Sequence, residues 1–106
     1  MKIFRTPQIE ADSNCYQDFD DRILKSPDGI SSSTMTIDMC TNHCFGKNYL
    51  YAGVQYYSTC HCGNEISRKV VRPQSECNTP CEGNSNQMCG GEWRTNIYEN
   101  SDILCP

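Results

Sequence analysis

The nine cysteines are the residues of this 106-residue chain whose types and spacing say most about its chemistry. Paired thiols form disulfides or bind metal ions, and about one cysteine in twelve positions is typical of small secreted domains. Leu, Ile, Val and Phe together supply only 17 residues, which is below the level of roughly one fifth that a conventional apolar core needs. We therefore predict one small extracellular domain in which disulfides replace part of the core.

The spacing of four cysteines predicts a double cross-link between a helix and a strand. Cys40 and Cys44 lie one helical turn apart, and Cys60 and Cys62 lie on one face of an extended segment. The members of each pair are separated by about 6–7 Å, and geometry allows either order of pairing. Cys105 makes the count odd, so we expect it to be free, paired outside the domain or a source of dimers. The sequence does not settle the pairing of the other four cysteines, which are Cys15, Cys77, Cys81 and Cys89.

Zinc binding is the alternative use of these thiols. Cys60-x-Cys62 and Cys77-x3-Cys81, with His61 inside the first pair, could supply four ligands. Zinc modules space their ligand pairs as Cys-x2-Cys, a pattern that this chain lacks, and one structural site would use only four of nine cysteines. Disulfides are the favoured interpretation, and we expect neither a metal nor another cofactor.

Aromatic side chains are abundant, with six Tyr, three Phe and one Trp, and a thin core cannot bury all ten. Exposed rings that stack on the C–H face of a sugar, beside planar polar groups that bind its hydroxyls, would form a carbohydrate site. The candidate aromatic residues are Tyr49, Tyr51, Tyr57 and Trp93, and the candidate polar partners are Arg22, Gln55, Asn64 and Asn84.

Each of these candidates also has a purely structural interpretation. The alternation over residues 49–57 predicts a two-faced strand, with Leu50, Ala52 and Val54 facing inward. This alternation predicts that Tyr56 is buried and that Tyr49 and Tyr51 are exposed. Trp93 could instead cover a disulfide beside the Cys-Gly-Gly turn, and Asp18 could form a structural ion pair with Arg22.

The remaining elements follow from local signals. Thr36 is placed to cap a short helix that ends at Gly46. Residues 58–62 extend the predicted strand or pair with it, and residues 93–98 alternate again as a closing strand. We expect a surface loop over residues 65–76 and an irregular segment over residues 77–91, with one helical turn after Asn84.

Charge and hydropathy exclude several functions. A net charge of −4 and a pI near 5.0 argue against nucleic acid, which requires a basic surface. No apolar run approaches the 18 or so residues of a membrane span, so we expect no membrane insertion. Polar residues follow Met1–Phe4 where the apolar part of a signal peptide would lie, so we predict that the chain starts after any leader.

Enzymatic activity is not predicted. The two histidines, His43 and His61, lie beside cysteines that we expect to be oxidised, which removes any thiolate nucleophile. The carboxylates show no spacing that identifies a catalytic pair.

The ordered motifs of the chain resemble those of the WSC domain, a family found in fungal cell-surface sensors, secreted carbohydrate-active enzymes, kremen and polycystin ectodomains. The resemblance covers residues 15–98. The matching motifs are Cys15-Tyr16-x-Asp18, Met35-Thr36-Ile37-Asp38-x-Cys40-x3-Cys44, Tyr51-Ala52-Gly53-Val54-Gln55-Tyr56, Cys60-x-Cys62-Gly63-Asn64, Cys77-Asn78-x-Pro80-Cys81-x-Gly83-Asn84 and Cys89-Gly90-Gly91.

The resemblance implies a fold and a set of boundaries. The family has eight cysteines in four disulfides, which leaves Cys105 outside the pattern. The expected fold is an α+β, disulfide-rich domain similar to PAN/apple modules, with a short helix clasped to an antiparallel sheet. By resemblance we expect nested disulfides, Cys40–Cys62 and Cys44–Cys60. The implied organisation is a tail over residues 1–14, a domain over 15–98 and a second tail over 99–106.

The resemblance also implies a function, namely extracellular, non-catalytic binding of a polysaccharide such as β-1,3-glucan or another cell-wall glycan. The alternative is a cell-surface sensor or adhesion module that binds protein through exposed aromatics. This alternative includes self-association, or a dimer linked through Cys105. Two residues depart from the family pattern. Gln55 replaces a common Glu before the strand tyrosine, and His61 replaces a common aromatic between the paired cysteines, so each could alter a ligand contact.

Overall fold

The computed structural model describes residues 13–101, which form a helix, seven strands and one turn of 3-10 helix. The helix is α1 (Ile37–Gly46), and the 3-10 turn covers Gln74–Glu76. The strands are β1 (Cys15–Gln17), β2 (Ile30–Ser31), β3 (Tyr51–Gln55), β4 (Thr59–Gly63), β5 (Pro80–Cys81), β6 (Asn84–Met88) and β7 (Arg94–Glu99). The predicted α+β class is confirmed.

Five strands form one antiparallel sheet in the order β1-β7-β3-β4-β2. The central strand β3 pairs with β4 through a hairpin and with β7 on its other edge. Of the two alternatives for residues 58–62, pairing rather than extension is the one observed, and the predicted closing strand is confirmed. β5 and β6 form a separate two-stranded sheet. Among residues 13–101, no helix has the length and apolar character that a membrane crossing requires.

The predicted bounds of α1 are confirmed. Thr36 has an extended backbone, and its hydroxyl accepts a hydrogen bond from the Met39 N–H at 3.0 Å, which satisfies one of the free donors at the helix start. Asp38 lies in the first turn, where the helix dipole favours a negative charge. Cys40 and Cys44 are fully buried on the face that packs against the sheet.

Both faces of β3 are buried, which corrects the prediction of a strand with one exposed face. Ala52 and Val54 lie in the core beneath α1. On the opposite face Gly53 is buried, and Gln55 is only 6% exposed. A second apolar cluster covers part of that face, and it consists of Ile23, Leu24 and Ile97. Other parts of the chain pack on both faces of this central strand, so the alternation of residue types along β3 does not distinguish buried from exposed positions.

The predicted burial of Tyr56 is wrong, since 49% of its surface is exposed. β3 ends at Gln55, and Tyr56 and Tyr57 belong to the hairpin turn, where their φ angles are 49° and 56°. The period-two alternation therefore stops one residue before Tyr56. Tyr51, which was expected to face solvent, is partly buried against the second apolar cluster.

Four disulfides join the eight cysteines of the described chain, and the predicted nested order is wrong. The pairs are Cys15–Cys77, Cys40–Cys60, Cys44–Cys62 and Cys81–Cys89. A short link connects α1 to β3, so the helix runs antiparallel to β3, and the hairpin then reverses the chain into β4. Helix and β4 consequently run in the same direction, and their cysteines pair in sequential order, with Cα–Cα distances of 5.4 Å in both disulfides.

The alternative zinc set is not assembled, because its four cysteines belong to four different disulfides. Cys60 and Cys62 are bonded to the helix, while Cys77 and Cys81 are bonded elsewhere. The sulfur atoms of Cys40, Cys44 and Cys60 do lie within 4.8 Å of one another, since the two helix–strand disulfides are neighbours. A disulfide sulfur carries no thiolate to bind a metal.

The predicted irregular segment over residues 77–91 contains a hairpin, and the helical turn expected after Asn84 is wrong. β5 pairs with β6, and the Cys81–Cys89 disulfide closes the hairpin. β6 reads Asn-Ser-Asn-Gln-Met, so it has neither the β-branched residues nor the alternation that indicate a strand. Cross-linking and backbone pairing hold the segment extended.

The predicted tails lie mostly beyond the described part of the chain. Residues 1–12 and 102–106, including Cys105, fall outside it, so the three-part division and the state of Cys105 stay predictions. Two residues of the predicted tails, Asn14 and Asn100, do lie in the described range and bond to the domain. The Asn14 side chain accepts a hydrogen bond from Asn96 at 3.0 Å. The Asn100 N–H donates to the Leu50 carbonyl at 2.8 Å.

Candidate functional site

A cleft of about 260 Å³ opens on the face of the sheet that lies opposite α1. Four segments supply its walls: the loop before β2, the β3–β4 hairpin, β4 and the turn before β7. The lining residues are Arg22, Gln55, Tyr56, Thr59, His61, Glu92 and Trp93. The set combines two aromatic rings with hydrogen-bonding groups of several kinds.

β4 explains how two of these residues reach the cleft. Cys60 and Cys62 are fully buried and point toward α1, to which they are bonded. Successive side chains of a strand point to opposite faces, so Thr59 and His61 must point away from the helix. The two disulfides thereby fix the position of this cleft wall.

An ion pair positions Arg22 at the cleft. Its Nη1 atom lies 2.6 Å from Asp18 Oδ2, and the Arg22 side chain is 44% exposed whereas that of Asp18 is 2% exposed. The second oxygen of Asp18 accepts a hydrogen bond from the Ile23 N–H at 3.0 Å. The Arg22 guanidinium lies 5.2 Å from the centre of the Trp93 ring, within reach of a cation–π contact. The structural pairing of Asp18 with Arg22 is confirmed, and Arg22 lines the cleft as well.

Unusual backbone conformations concentrate around the cleft. Arg22, Tyr56 and Trp93 have φ angles of 62°, 49° and 55°. Residues other than glycine rarely adopt positive φ, and each instance costs of order 1–3 kcal/mol unless the surroundings enforce it. Three of the seven lining residues are thus held in backbone conformations that they would not adopt by themselves, which indicates a preformed surface.

Gln55 presents a hydrogen-bond acceptor without a donor. Its side chain is 6% exposed, and no residue of the described chain donates to its Oε1 atom. A buried polar atom that lacks a partner costs about 1–3 kcal/mol, and nearly all buried polar atoms in native proteins are paired. Gln55 lines the cleft, so this unpaired acceptor belongs to a residue of the cleft wall.

Two side chains of the cleft, His61 and Tyr56, have pKa values shifted by their surroundings. Burial lowers the pKa of His61, an effect that Asp18 opposes and Arg22 reinforces, so the imidazole is neutral at pH 7. The Tyr57 phenol, followed by the Glu92 carboxylate, raises the pKa of Tyr56. Neutral His61 and protonated Tyr56 each offer both a donor and an acceptor.

The structure brings together three of the eight predicted binding residues, namely Arg22, Gln55 and Trp93. Tyr57 lies next to the cleft, with its ring centre 4.8 Å from that of Tyr56, but does not line it. Tyr51 packs against the second apolar cluster.

The other three predicted residues lie in different environments. Tyr49 and Asn64 line a separate depression of about 190 Å³. The Tyr49 hydroxyl donates to Asp28 Oδ2 at 2.5 Å, and Asn64 Oδ1 accepts from the Leu50 N–H at 3.1 Å. Asn84 lies in β6, where its side chain accepts from the Asn86 N–H. These contacts give all three residues structural roles.

Four lining residues were missing from the predicted site, and two of them left a signal in the sequence. Thr59 and His61 alternate with cysteines that the sequence assigns to the helix side, so their outward direction follows from strand geometry. Tyr56 was missed because it was assigned to the core. Glu92 lacks any local signal beyond its place next to Trp93.

These features define the class of protein. The described chain is a small domain that four disulfides stabilise, with a preformed cleft on the side of the sheet away from its helix. Such disulfide density is characteristic of extracellular domains.

The family model of the WSC domain matches residues 13–91, and the chain belongs to the WSC domain family. The chain is 42% identical over 89 residues to xylosyltransferase oxt of Drosophila melanogaster, a match that covers 80% of this chain and 10% of that protein. It is 34% identical over 101 residues to a WSC domain-containing protein of Arthroderma benhamiae, covering 92% of this chain and 14% of that protein. Human Kremen protein 2 is 36% identical over 84 residues, covering 77% of this chain and 18% of that protein.

The chain thus spans between about a tenth and a fifth of the length of these relatives. The match between these relatives and this chain is confined to the region of the domain, and the relatives themselves carry different names. The disulfide-rich WSC fold and relatives such as Kremen protein 2 point to an extracellular or cell-surface location.

Proposed function

We propose that this chain is a non-catalytic polysaccharide-binding domain of an extracellular or cell-surface protein. In this proposal the cleft beside Trp93 holds a neutral cell-wall glycan such as β-1,3-glucan. The observation that carries the proposal is a cleft walled by two exposed aromatic rings and lined by Gln55, whose Oε1 atom is buried and receives no hydrogen bond within the described chain. A sugar hydroxyl would supply the missing donor once the Gln55 side chain turns toward the cleft.

The aromatic walls suit a sugar ring. Tyr56 and Trp93 are 49% and 41% exposed, so each ring still offers apolar surface to solvent beside its contact with Tyr57 or Arg22. The C–H face of a pyranose can pack on such surface, while Thr59 and neutral His61 hydrogen-bond its hydroxyls. A cleft of this size and openness admits a sugar ring at its mouth but does not enclose a larger molecule, for which pockets of roughly 300–1,000 Å³ are usual.

The charges of the cleft favour an uncharged glycan. Among residues 13–101, Arg22 is the only cation that lines the cleft, and this guanidinium is already paired with Asp18. Glu92 also lines the cleft, and it forms no ion pair with another residue between positions 13 and 101. An acidic glycan would place its carboxylate or sulfate near Glu92 without a free cation to receive it.

The cleft lining also supports binding without catalysis. Glycoside hydrolysis ordinarily uses two carboxyl groups on opposite sides of the scissile bond. Within the described part of the chain, Glu92 is the single carboxylate that lines the cleft. The nearby Asp18 is buried and engaged by Arg22 and by the Ile23 backbone.

Binding to a protein is the second candidate function, and exposed apolar residues outside the cleft favour it. Tyr57 and Met88 are 41% and 40% exposed and do not line the cleft. The concave arrangement of Tyr56 and Trp93 with polar groups between them favours a glycan over a flat protein surface.

The proposal is tested by retention of the oxidised domain on insoluble β-1,3-glucan, chitin, cellulose and alginate. We expect retention on a neutral polysaccharide and none on alginate, which is a polyuronate. Trp93→Ala should weaken the retention about 30-fold, the effect of losing a central aromatic contact of about 2 kcal/mol. Depletion of the protein from the supernatant gives the dissociation constant.

Met88→Ala is the matched control, because Met88 is as exposed as Trp93 but lies outside the cleft. Its binding should equal that of the parent. Lack of retention on all four polysaccharides, with the disulfides intact, would contradict the proposal and favour protein binding. Equal binding by Trp93→Ala and the parent would show that the glycan contacts another surface.

Gln55→Met should separate binding from stability. Methionine keeps the approximate shape of the side chain and removes the donorless acceptor, so the free energy of unfolding should stay unchanged or rise by about 1 kcal/mol. Loss of a hydrogen bond to the sugar should weaken glycan binding about five- to tenfold. Denaturant titration and the retention assay measure the two quantities, and a variant that is less stable but binds normally would refute this role of Gln55.

A further inference from the structure

A second depression, which we call the outer lobe, adjoins the cleft at Trp93. It is shallower and larger, with a volume of about 580 Å³, and Trp93 lines both depressions. The Trp93 carbonyl accepts hydrogen bonds from the Asp18 N–H at 2.9 Å and from Arg94 Nη1 at 2.9 Å, and both of these residues line the outer lobe. The backbone of Trp93, whose side chain is shared by the two depressions, is therefore held from the side of the outer lobe.

The outer lobe has its own flat surface. The Arg68 guanidinium lies 3.9 Å from the centre of the Phe19 ring, a close cation–π stack. Arg68 Nη2 is 3.4 Å from each carboxylate oxygen of Asp21, and the Arg68 side chain is 52% exposed. The stacked pair offers planar surface and N–H donors to solvent, which are the two features that suit a sugar.

The charge pattern of the cleft continues into the outer lobe. Arg68 is paired with Asp21, and Arg94 is paired with Glu76 at 2.7 Å. Hydrogen bonds from Arg72 and Arg94 lower the pKa of Glu76 to about 2, so this carboxylate is ionised at neutral pH. Asp20 lines the lobe and forms no ion pair with any other residue in the described range. Both depressions thus combine paired arginines with one unpaired carboxylate.

We infer that the cleft and the outer lobe form one continuous groove, which binds an extended, uncharged polysaccharide chain rather than a single sugar or a chain end. This inference rests on the proposed function and adds the length of the ligand. One sugar packs in the cleft against Tyr56 and Trp93. The chain continues past Trp93 to sugars that contact Phe19 and Arg68.

The test is the dependence of affinity on chain length, measured by calorimetry with β-1,3-gluco-oligosaccharides of two to six units. Chito- or cello-oligosaccharides of the same lengths replace them if the retention assay selects chitin or cellulose. The dissociation constant should fall about tenfold between the disaccharide and the hexasaccharide, which corresponds to about 1.4 kcal/mol. A site limited to the cleft would bind all lengths equally.

Two variants test whether the increase in affinity with chain length comes from contacts in the outer lobe. Arg68→Gln and Phe19→Leu should each remove most of the gain with length and leave disaccharide binding unchanged. Phe19→Leu retains apolar packing against the second apolar cluster, and Arg68→Gln alters an exposed side chain, so neither test depends on a core truncation. Lys69→Gln is the matched control, because Lys69 is exposed and lines neither depression.

The outcomes distinguish this inference from the proposed function. Equal dissociation constants at all lengths would overturn the groove and leave polysaccharide binding intact. A gain with length that survives in both Arg68→Gln and Phe19→Leu would also overturn it, since the added sugars would then lie elsewhere. Absence of binding to every polysaccharide and oligosaccharide would overturn both proposals.

Discussion

The crossed variant Cys44→Ala/Cys60→Ala is expected to be unfolded at 37 °C, because it breaks both disulfides between α1 and β4. These disulfides span sequence separations of 20 and 18 residues. Closing a loop of that length in the unfolded chain corresponds to about 3 kcal/mol per disulfide. The combined loss of about 6 kcal/mol is comparable with the whole stability of a small domain, about 5–15 kcal/mol.

The matched variant Cys44→Ala/Cys62→Ala removes one disulfide and leaves its neighbour intact. It should fold, with a free energy of unfolding lower by about 3 kcal/mol, as measured by denaturant titration. Thiol titration adds an independent readout: the crossed variant should expose two more free thiols than the parent, and the matched variant none. The reverse result would establish the nested pairing, Cys40–Cys62 with Cys44–Cys60.

Gly90→Ala is expected to lower the free energy of unfolding by about 3 kcal/mol. Gly90 has a φ angle of 64°, and a Cβ atom there would lie 2.4 Å from the Arg94 carbonyl oxygen and 2.6 Å from that of Val54. A left-handed conformation costs a residue with a side chain about 1–2 kcal/mol. Overpacking against backbone that cannot move adds a further cost of about 1–3 kcal/mol. Chemical denaturation with an unchanged m-value would give the difference.

Gly46→Ala is the control for this prediction. Gly46 ends α1, and a Cβ atom there would meet no other atom within 4 Å. Alanine favours the helix and reduces the freedom of the unfolded chain, so this variant should be as stable as the parent or more stable by up to about 1 kcal/mol. If Gly90→Ala and Gly46→Ala unfolded at the same denaturant concentration, the close packing at Gly90 would not determine the free energy of unfolding as predicted.

Elements with local signals could be predicted from the sequence. The Thr36 cap and the terminal Gly46 define α1 because capping depends on a few neighbouring residues. The order of the helix–strand disulfides depends on chain direction, which cysteine spacing alone does not indicate. In the structure α1 leads through a short link into the hairpin and runs in the same direction as β4, so the cysteines pair in sequential order.

Elements that depend on distant partners could not be predicted. β6 has no strand signal, and it is extended because β5 and the Cys81–Cys89 disulfide hold it. β3 is buried on both faces because residues 23 and 24 pack on the face opposite α1. The alternation of residue types along β3 does not indicate this contact. The same contact explains why Gln55 is buried rather than exposed.

The candidate site was predicted in part. Arg22, Gln55 and Trp93 could be predicted from residue type, since each has an aromatic or planar polar side chain of the kind that contacts sugars. Glu92 and Tyr56 enter the cleft through the geometry of two turns with positive φ angles. Turn conformations of this kind are rare for bulky residues, so a sequence pattern does not indicate them.

β4 carries disulfides on one face and cleft residues on the other, so we expect oxidation of Cys60 and Cys62 to fix the strand that forms one wall of the cleft. Before Cys60 and Cys62 are oxidised, nothing covalent anchors the strand that positions Thr59 and His61. A newly made chain kept reduced by glutathione would have no competent groove, and it would gain one only during oxidative folding on the secretory route. Under the proposed function, redox chemistry would thereby confine glycan binding to the outside of the cell and the compartments that lead there.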